Sequence, residues 1–186
     1  METVYGYPVT RRNGETWIRL RDLESDGRAR VVTALRAPTN LAGAPPVVEL
    51  TLQYRVADPK IAARFEDGLA QAGFTLGHSV TNDSALVERG RDTDVLAAGA
   101  RAYAAEALDQ ATRLYADGRR REASRMLRTR LEEVMLRNTT TIRSDDLAQE
   151  MKRIQIDADF ESNEAGSTAG KDMVKSMKVR AMGMAR

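Results

Sequence analysis

Between residues 92 and 134 apolar side chains recur at helical spacing and are unusually small, and this pattern restricts the fold more than any other. Leu96, Ala100, Tyr103, Ala107, Ala111 and Leu114 follow one another at intervals of three and four residues, forming a single stripe along a long helix. Asp92 or Asp94 starts it, because a carboxylate accepts from the free N–H groups of a first turn. Small side chains on the stripe imply a closely packed neighbour. Gly118 predicts the helix end, as a glycine just past the last turn, and Ala123, Leu127, Leu131 and Val134 mark the inner face of a second helix. The pattern specifies an antiparallel helical hairpin. Ser144, followed by Asp145 and Asp146, predicts the start of a third helix that carries Leu147, Met151, Ile154 and Ala158 and runs to about Phe160. A short helix from Ser84, capped by Asn82 or Asp83, precedes the hairpin.

The first 82 residues read differently. Segments 3–9, 16–21, 30–36 and 47–56 are rich in Val, Thr, Tyr and Trp and predict strands separated by turn formers. Asn13-Gly14 predicts a tight hairpin, since both residues tolerate positive φ, and Ser25-Asp26-Gly27 predicts a second turn. In 47–56, Val48, Leu50, Leu52 and Tyr54 share one face and Glu49, Thr51, Gln53 and Arg55 the other, so this strand has only one apolar side. Pro38 and Pro45-Pro46 predict a loop before it. Residues 58–73 read as a short helix, because Ile61, Phe65, Leu69 and Ala72 fall at helical spacing, with a strand near 74–81 after it. The expected class is α+β: a small antiparallel β-sandwich-like domain over 1–82, then the helical hairpin and third helix over 83–160. The segment 161–170, small and polar, reads as a flexible linker, and 171–186 as a basic, methionine-rich C-terminal helix.

Composition narrows the chemistry. The 186 residues include no cysteine, which excludes disulfides, thiolate catalysis and thiolate metal sites and suits a reducing cytoplasm. His78 is the single histidine, so any Ser-His-Asp scheme rests on it. Lys and Arg number 29 against 27 Asp and Glu, and the net charge of +2 supplies no strong global field for gathering nucleic acid or acidic lipid. The opening METVYGYPVT lacks a basic stretch followed by an apolar one, and no segment approaches ~18 consecutive apolar residues, so secretion and membrane spanning are disfavoured.

Patterns that suggest sites mostly fail on detail. Asp22, Glu24 and Asp26 occupy positions 1, 3 and 5 of a calcium loop, but Thr33 stands where the bidentate Glu belongs, so a plain turn is the better reading. Gly166-Ser167-Thr168-Ala169-Gly170-Lys171 is one spacer short of a phosphate-binding loop, and Asp172 replaces its magnesium-binding hydroxyl. His78 has Ser79 and Thr81 nearby but no G-x-S-x-G elbow, which favours a structural or surface imidazole. Asp145 and Asp146 suit a helix N-terminus, and Asp157 and Asp159, two apart, do not face each other. The N-x-S/T triplets at Asn82 and Asn138 carry little weight without a secretion signal. No catalytic, cofactor-binding or metal-binding residue is assigned.

Two basic segments remain. Arg121, Arg125 and Arg128 share a face of the second helix and are candidate phosphate contacts, although no aromatic residues interleave to stack bases and a solvated face is the simpler reading. In the tail, Met173, Met177, Ala181 and Met184 lie along one side with Lys171, Lys175 and Lys178 elsewhere. Such a helix docks into a partner's groove, rests on an acidic membrane or folds back onto its own domain. Met173, Met177, Met184, Lys175 and Lys178 are its candidate partner contacts.

One resemblance spans most of the chain. V-Y-G-Y-P-V, T-W-I-R-L-R-D-L, A-R-V-V-T-A-L-R-A-P and V-E-L-T-L-Q-Y-R, then S-V-T-N-D-S-A-L-V-E-R, A-R-A-Y-A-A-E-A-L-D-Q-A and G-R-R-R-E-A, and finally K-x-x-x-V-R-A-M-G-M-A-R, resemble the region downstream of the von Willebrand factor A domain in bacterial proteins. The resemblance implies a β-sandwich with a helical appendage that serves as an accessory interaction module. That family's metal site uses D-x-S-x-S within the A domain; the motif does not occur here, so no metal ligand carries over. A few strands with one apolar face need a second layer. The expected function is a non-enzymatic interaction or scaffolding subunit whose sheet or helical layer is completed by a separate A-domain chain, by a second copy of itself or by its own helices. A nucleic-acid-associated module using the Arg-rich helix is the alternative.

Overall fold

The computed structural model describes residues 3–20, 22, 29–36, 46–77 and 80–184. His78, Ser79, Pro38, Pro45 and the Ser25-Asp26-Gly27 turn lie outside them, as does the calcium-like loop between Asp22 and Ala29; its last position, Thr33, is in a strand. The α+β class expected from the sequence is the one the chain adopts. Six strands are followed, with two short helices interposed, by four longer ones: β1 Thr3–Tyr5, β2 Val9–Arg12, β3 Glu15–Ile18, β4 Val32–Ala34, β5 Pro46–Arg55, α1 Pro59–Ala62, β6 Leu69–Gly77, α2 Ser84–Arg89, α3 Thr93–Ala116, α4 Arg120–Arg137, α5 Asp145–Asp157 and α6 Thr168–Met184.

The β part takes the form of three antiparallel two-stranded ribbons, β1 with β4, β2 with β3 and β5 with β6. Asn13 and Gly14, at φ 52° and 81°, make the tight turn between β2 and β3. Residues 3–9, expected as one strand, divide at Gly6, whose φ of 76° turns the chain so that β1 pairs with β4 and β2 with β3. The helix expected over 58–73 is confined to Pro59–Ala62, capped by the Asp58 carboxylate. Asp67 and Gly68 adopt positive φ and end any helix there, and Leu69 and Ala72 instead join β6, opposite Arg55 and Leu52.

Two compact units result, one from Met1–Leu35 with Arg91–Arg186 and the other from Arg36–Gly90. The first strands therefore group with the helices, because β1 and β4 lie against α3. The second unit holds the β5–β6 ribbon, α1 and α2.

Helix α3 is the centre of the first unit, packed against α4, α5 and α6. Asp92 caps it by accepting from the amides of Asp94 and Val95 at 3.0 and 3.1 Å. Ala97, Ala100, Ala104, Ala107, Leu108 and Ala111 are buried along it. Gly118, at φ 80°, reverses the chain, and Ala123, Leu127, Leu131 and Val134 of α4 face the core as the spacing implied. Between α4 and α5 a π-type turn over Asn138–Ile142 is closed by the buried Asn138 side chain, which donates to the Ser144 carbonyl and accepts from the Ser144 amide, each at 2.9 Å. Ser144 then caps α5, where Leu147, Met151 and Ile154 are buried.

The segment expected as a linker is bonded to the helices. Phe160 is buried against Tyr115, ring centroids 5.1 Å apart, and the Asn163 carbonyl accepts from the Tyr115 hydroxyl at 3.0 Å and from Arg120 at 3.3 Å. Helix α6 begins inside that segment, at Thr168, and packs on α3. Gly170 is the point of closest approach: a Cβ there would stand 2.0 Å from the Glu164 carbonyl oxygen and 2.7 Å from the Tyr115 hydroxyl.

That geometry separates two glycines of one helix. Gly170→Ala is expected to lower stability by about 1–3 kcal/mol, since backbone must move to admit the methyl group. Gly183, where an added Cβ meets nothing within 4 Å, is expected to gain up to about 1 kcal/mol on the same substitution. Urea unfolding followed by circular dichroism measures both, and equal effects would contradict the packing described.

Candidate interaction surfaces

The β5–β6 ribbon has the most one-sided chemistry in the protein. Its register pairs Val48 with Leu76, Leu50 with Phe74, Leu52 with Ala72 and Tyr54 with Ala70, which places these eight residues on one face, while Leu69 lies with Arg55 on the other. Glu49, Thr51, Gln53 and Arg55 of β5 occupy the other. On the apolar face Phe74 is 60% exposed and Leu52, Tyr54 and Leu76 are 44–46% exposed. At ~3.4 Å per residue the ribbon is about 30 Å long, and among the described residues each strand has a single pairing partner.

Helix α4 sorts its arginines. Arg119 pairs with Glu122 at 2.5 Å, and Arg120 donates to the Asn163 carbonyl. Arg130 bonds Glu133 at 3.2 Å and the Tyr103 hydroxyl, and Arg130 and Arg137 lie 5.2 and 5.7 Å from the Tyr103 ring centre. Arg121, Arg125 and Arg128 are exposed and have no such partner among the described residues.

The cluster at Tyr103 joins α3 to α4 and shifts the ionisation of its members. The Tyr103 hydroxyl donates to Glu133 at 2.5 Å. Partial burial, and then the bond to the Glu133 carboxylate, raise the tyrosine above its ordinary value. The same hydrogen bond, aided by Arg130 and Arg137, holds Glu133 below the ordinary carboxylate value. Sequence reading placed Tyr103 on the buried stripe but missed this role, because Glu133 and Arg130 reach it from another helix.

The tail's candidate contacts divide. Met177 and Met184 are buried in the protein's own core and Met173 packs against it, which corrects their assignment to a partner: the small side chains of α3 leave room that the flexible thioethers fill. Lys175 and Lys178 are exposed, Lys175 standing 3.8 Å from Asp172. Two ion pairs hold the helices around α5, Arg101 with Glu150 at 2.9 Å and Arg180 with Asp157 at 2.6 Å.

In the phosphate-loop-like segment three of the amides are engaged within the chain, that of Ser167 by the Glu164 carbonyl. Gly170 N–H donates to Ser167 Oγ and Lys171 N–H to the Ser167 carbonyl, both at 3.0 Å. Asn138, of an N-x-T triplet, has both ends of its amide bonded and is buried. A groove of about 1080 Å³ lies between the first strands, α3 and α6, with Asp109 and Arg113 on its wall paired at 2.6 Å. Among the described residues no helix is long and apolar enough to cross a membrane.

Tyr103→Phe is expected to leave the fold in place and return Glu133 toward ordinary carboxylate behaviour, as read by carboxyl carbon shifts in an NMR titration. With the folded value depressed, Glu133 stabilises the native state above its unfolded pKa and loses that contribution as pH falls through the folded one. The variant's stability should accordingly depend less steeply on pH below about 4.5. Comparison with protein-family models, with curated proteins and with solved structures gave no match to this chain.

Proposed function

We propose that the chain is a non-enzymatic protein-interaction subunit that uses the apolar face of the β5–β6 ribbon to join a second polypeptide. The observation that carries this reading is the exposed row of Leu52, Tyr54, Phe74 and Leu76 on a two-stranded ribbon. An isolated hairpin is marginally stable in water and gains by covering such a face, and its free edges accept a further strand. Contiguous apolar surface of this kind marks interaction sites on soluble proteins.

The resemblance to the region beside bacterial von Willebrand factor A domains makes a separate A-domain chain the first partner to try. A second copy of this chain is the other. Assembly in the cytoplasm goes with a sequence free of cysteine.

Affinity purification of the full chain from its native source, followed by light scattering, tests the reading. A defined complex is expected. Leu52→Ser with Phe74→Ser should weaken it by roughly 3–6 kcal/mol, a hundredfold or more in affinity, with the helical circular dichroism unchanged. A native chain that remains a folded monomer with no associated protein overturns the proposal.

A further inference from the structure

We propose that the outward face of α4 is a docking surface for an acidic, leucine-bearing protein segment, a contact independent of the β5–β6 ribbon. At ~100° per residue, Arg121, Arg125, Arg128, Glu132 and Leu136 fall within an arc of about 80° on the side away from Ala123, Leu127, Leu131 and Val134. All five are exposed, Leu136 at 66%. The stripe is about 22 Å long at ~1.5 Å per residue, with its basic part in the first ~10 Å.

The other arginines from 119 to 137 are engaged within the protein, by Glu122, by the Asn163 carbonyl, or by Tyr103 and Glu133. The three left over lie side by side without an ion-pair partner among the described residues, and with Glu132 the face carries a net charge of about +2. A guanidinium pairs bidentately with a carboxylate, so a short row of Asp or Glu fits them.

Two features of the same face select protein over nucleic acid. Glu132 stands in line with the arginines and would repel a polyphosphate running along the helix, whereas an acidic peptide ends its charge before that point. Leu136 lies beyond Glu132 and offers an apolar anchor, for which a nucleic-acid backbone has no counterpart. No aromatic residue lies on the face to stack a base.

The test uses the full chain and three probes: a synthetic peptide with a short glutamate run followed by an uncharged stretch that carries leucine, a duplex DNA oligonucleotide, and phosphatidylserine vesicles. The peptide is expected to bind, more weakly as salt rises. Arg121→Gln, Arg125→Gln and Arg128→Gln together should reduce its affinity about tenfold, the product of three exposed charge pairs. Leu136→Ala should weaken it several-fold, and Glu132→Gln, a surface change that leaves packing alone, should tighten it. Removing the same charge from α6 with Lys171→Gln, Lys175→Gln and Lys178→Gln should change nothing. Absence of peptide binding, an equal loss in the lysine variant, or arginine-dependent binding of DNA or vesicles at least as tight as that of the peptide each overturns the proposal.

Discussion

Close approach to α3 is the constraint on which the first unit depends. Alanine at positions 97, 100, 104, 105, 107 and 111 keeps the helix narrow, and alanine loses no side-chain entropy on burial, so neighbouring helices come near at little cost. With the groove beside it so shallow, long flexible side chains from the facing helices complete the packing. Leu127 and Leu131 do so from α4, and Met177 and Met184 from α6. Tyr115 and Phe160 supply the large rings of this core.

The connections are held by side chains that satisfy backbone groups. Asp92, Ser144 and the Asn138 amide bond the free ends of α3, α5 and the π-type turn, each cap contributing about 1 kcal/mol. Asp159 does the same for the turn after α5, accepting from the amides of Glu161 and Ser162. Bonds from one helix to another come from Tyr103 with Glu133, Arg101 with Glu150 and Arg180 with Asp157.

The helical part was legible in the sequence because its signals are local. Asp92, Gly118 and Ser144 mark boundaries through their own chemistry, and the stripe beginning at Ala123 fixes the inner face of α4; the single stripe beginning at Leu96 understates α3, which also buries Ala97, Ala104, Leu108 and Tyr115. Residues 58–73 were misread because the spacing of Ile61, Phe65 and Leu69 satisfies a helix as well as a turn followed by a strand. Positive φ at Asp67 and Gly68 decides the matter, and that Asp-Gly pair is a turn signal which the apolar spacing on either side masks. The pairing of β1 with β4 joins segments almost thirty residues apart and leaves no short-range trace. The methionine pattern of α6 specifies an apolar face without specifying what covers it. Which arginines of α4 are free was illegible for a related reason: Arg120 is engaged by a carbonyl at residue 163 and Arg130 by a ring at residue 103.

The Asn163 carbonyl joins the end of α3 and the start of α4 to a turn more than forty residues later. Closing a loop of that size costs entropy that no single hydrogen bond returns, so Tyr115 and Arg120 must already be held in place by the hairpin when the turn arrives. The α3–α4 hairpin, built from local contacts, thus offers the surface on which the turn and α6 pack. In hydrogen exchange, the amides of α6 are expected to open at lower free energy than those at the middle of α3, which would uncover the alanine groove without unwinding the hairpin.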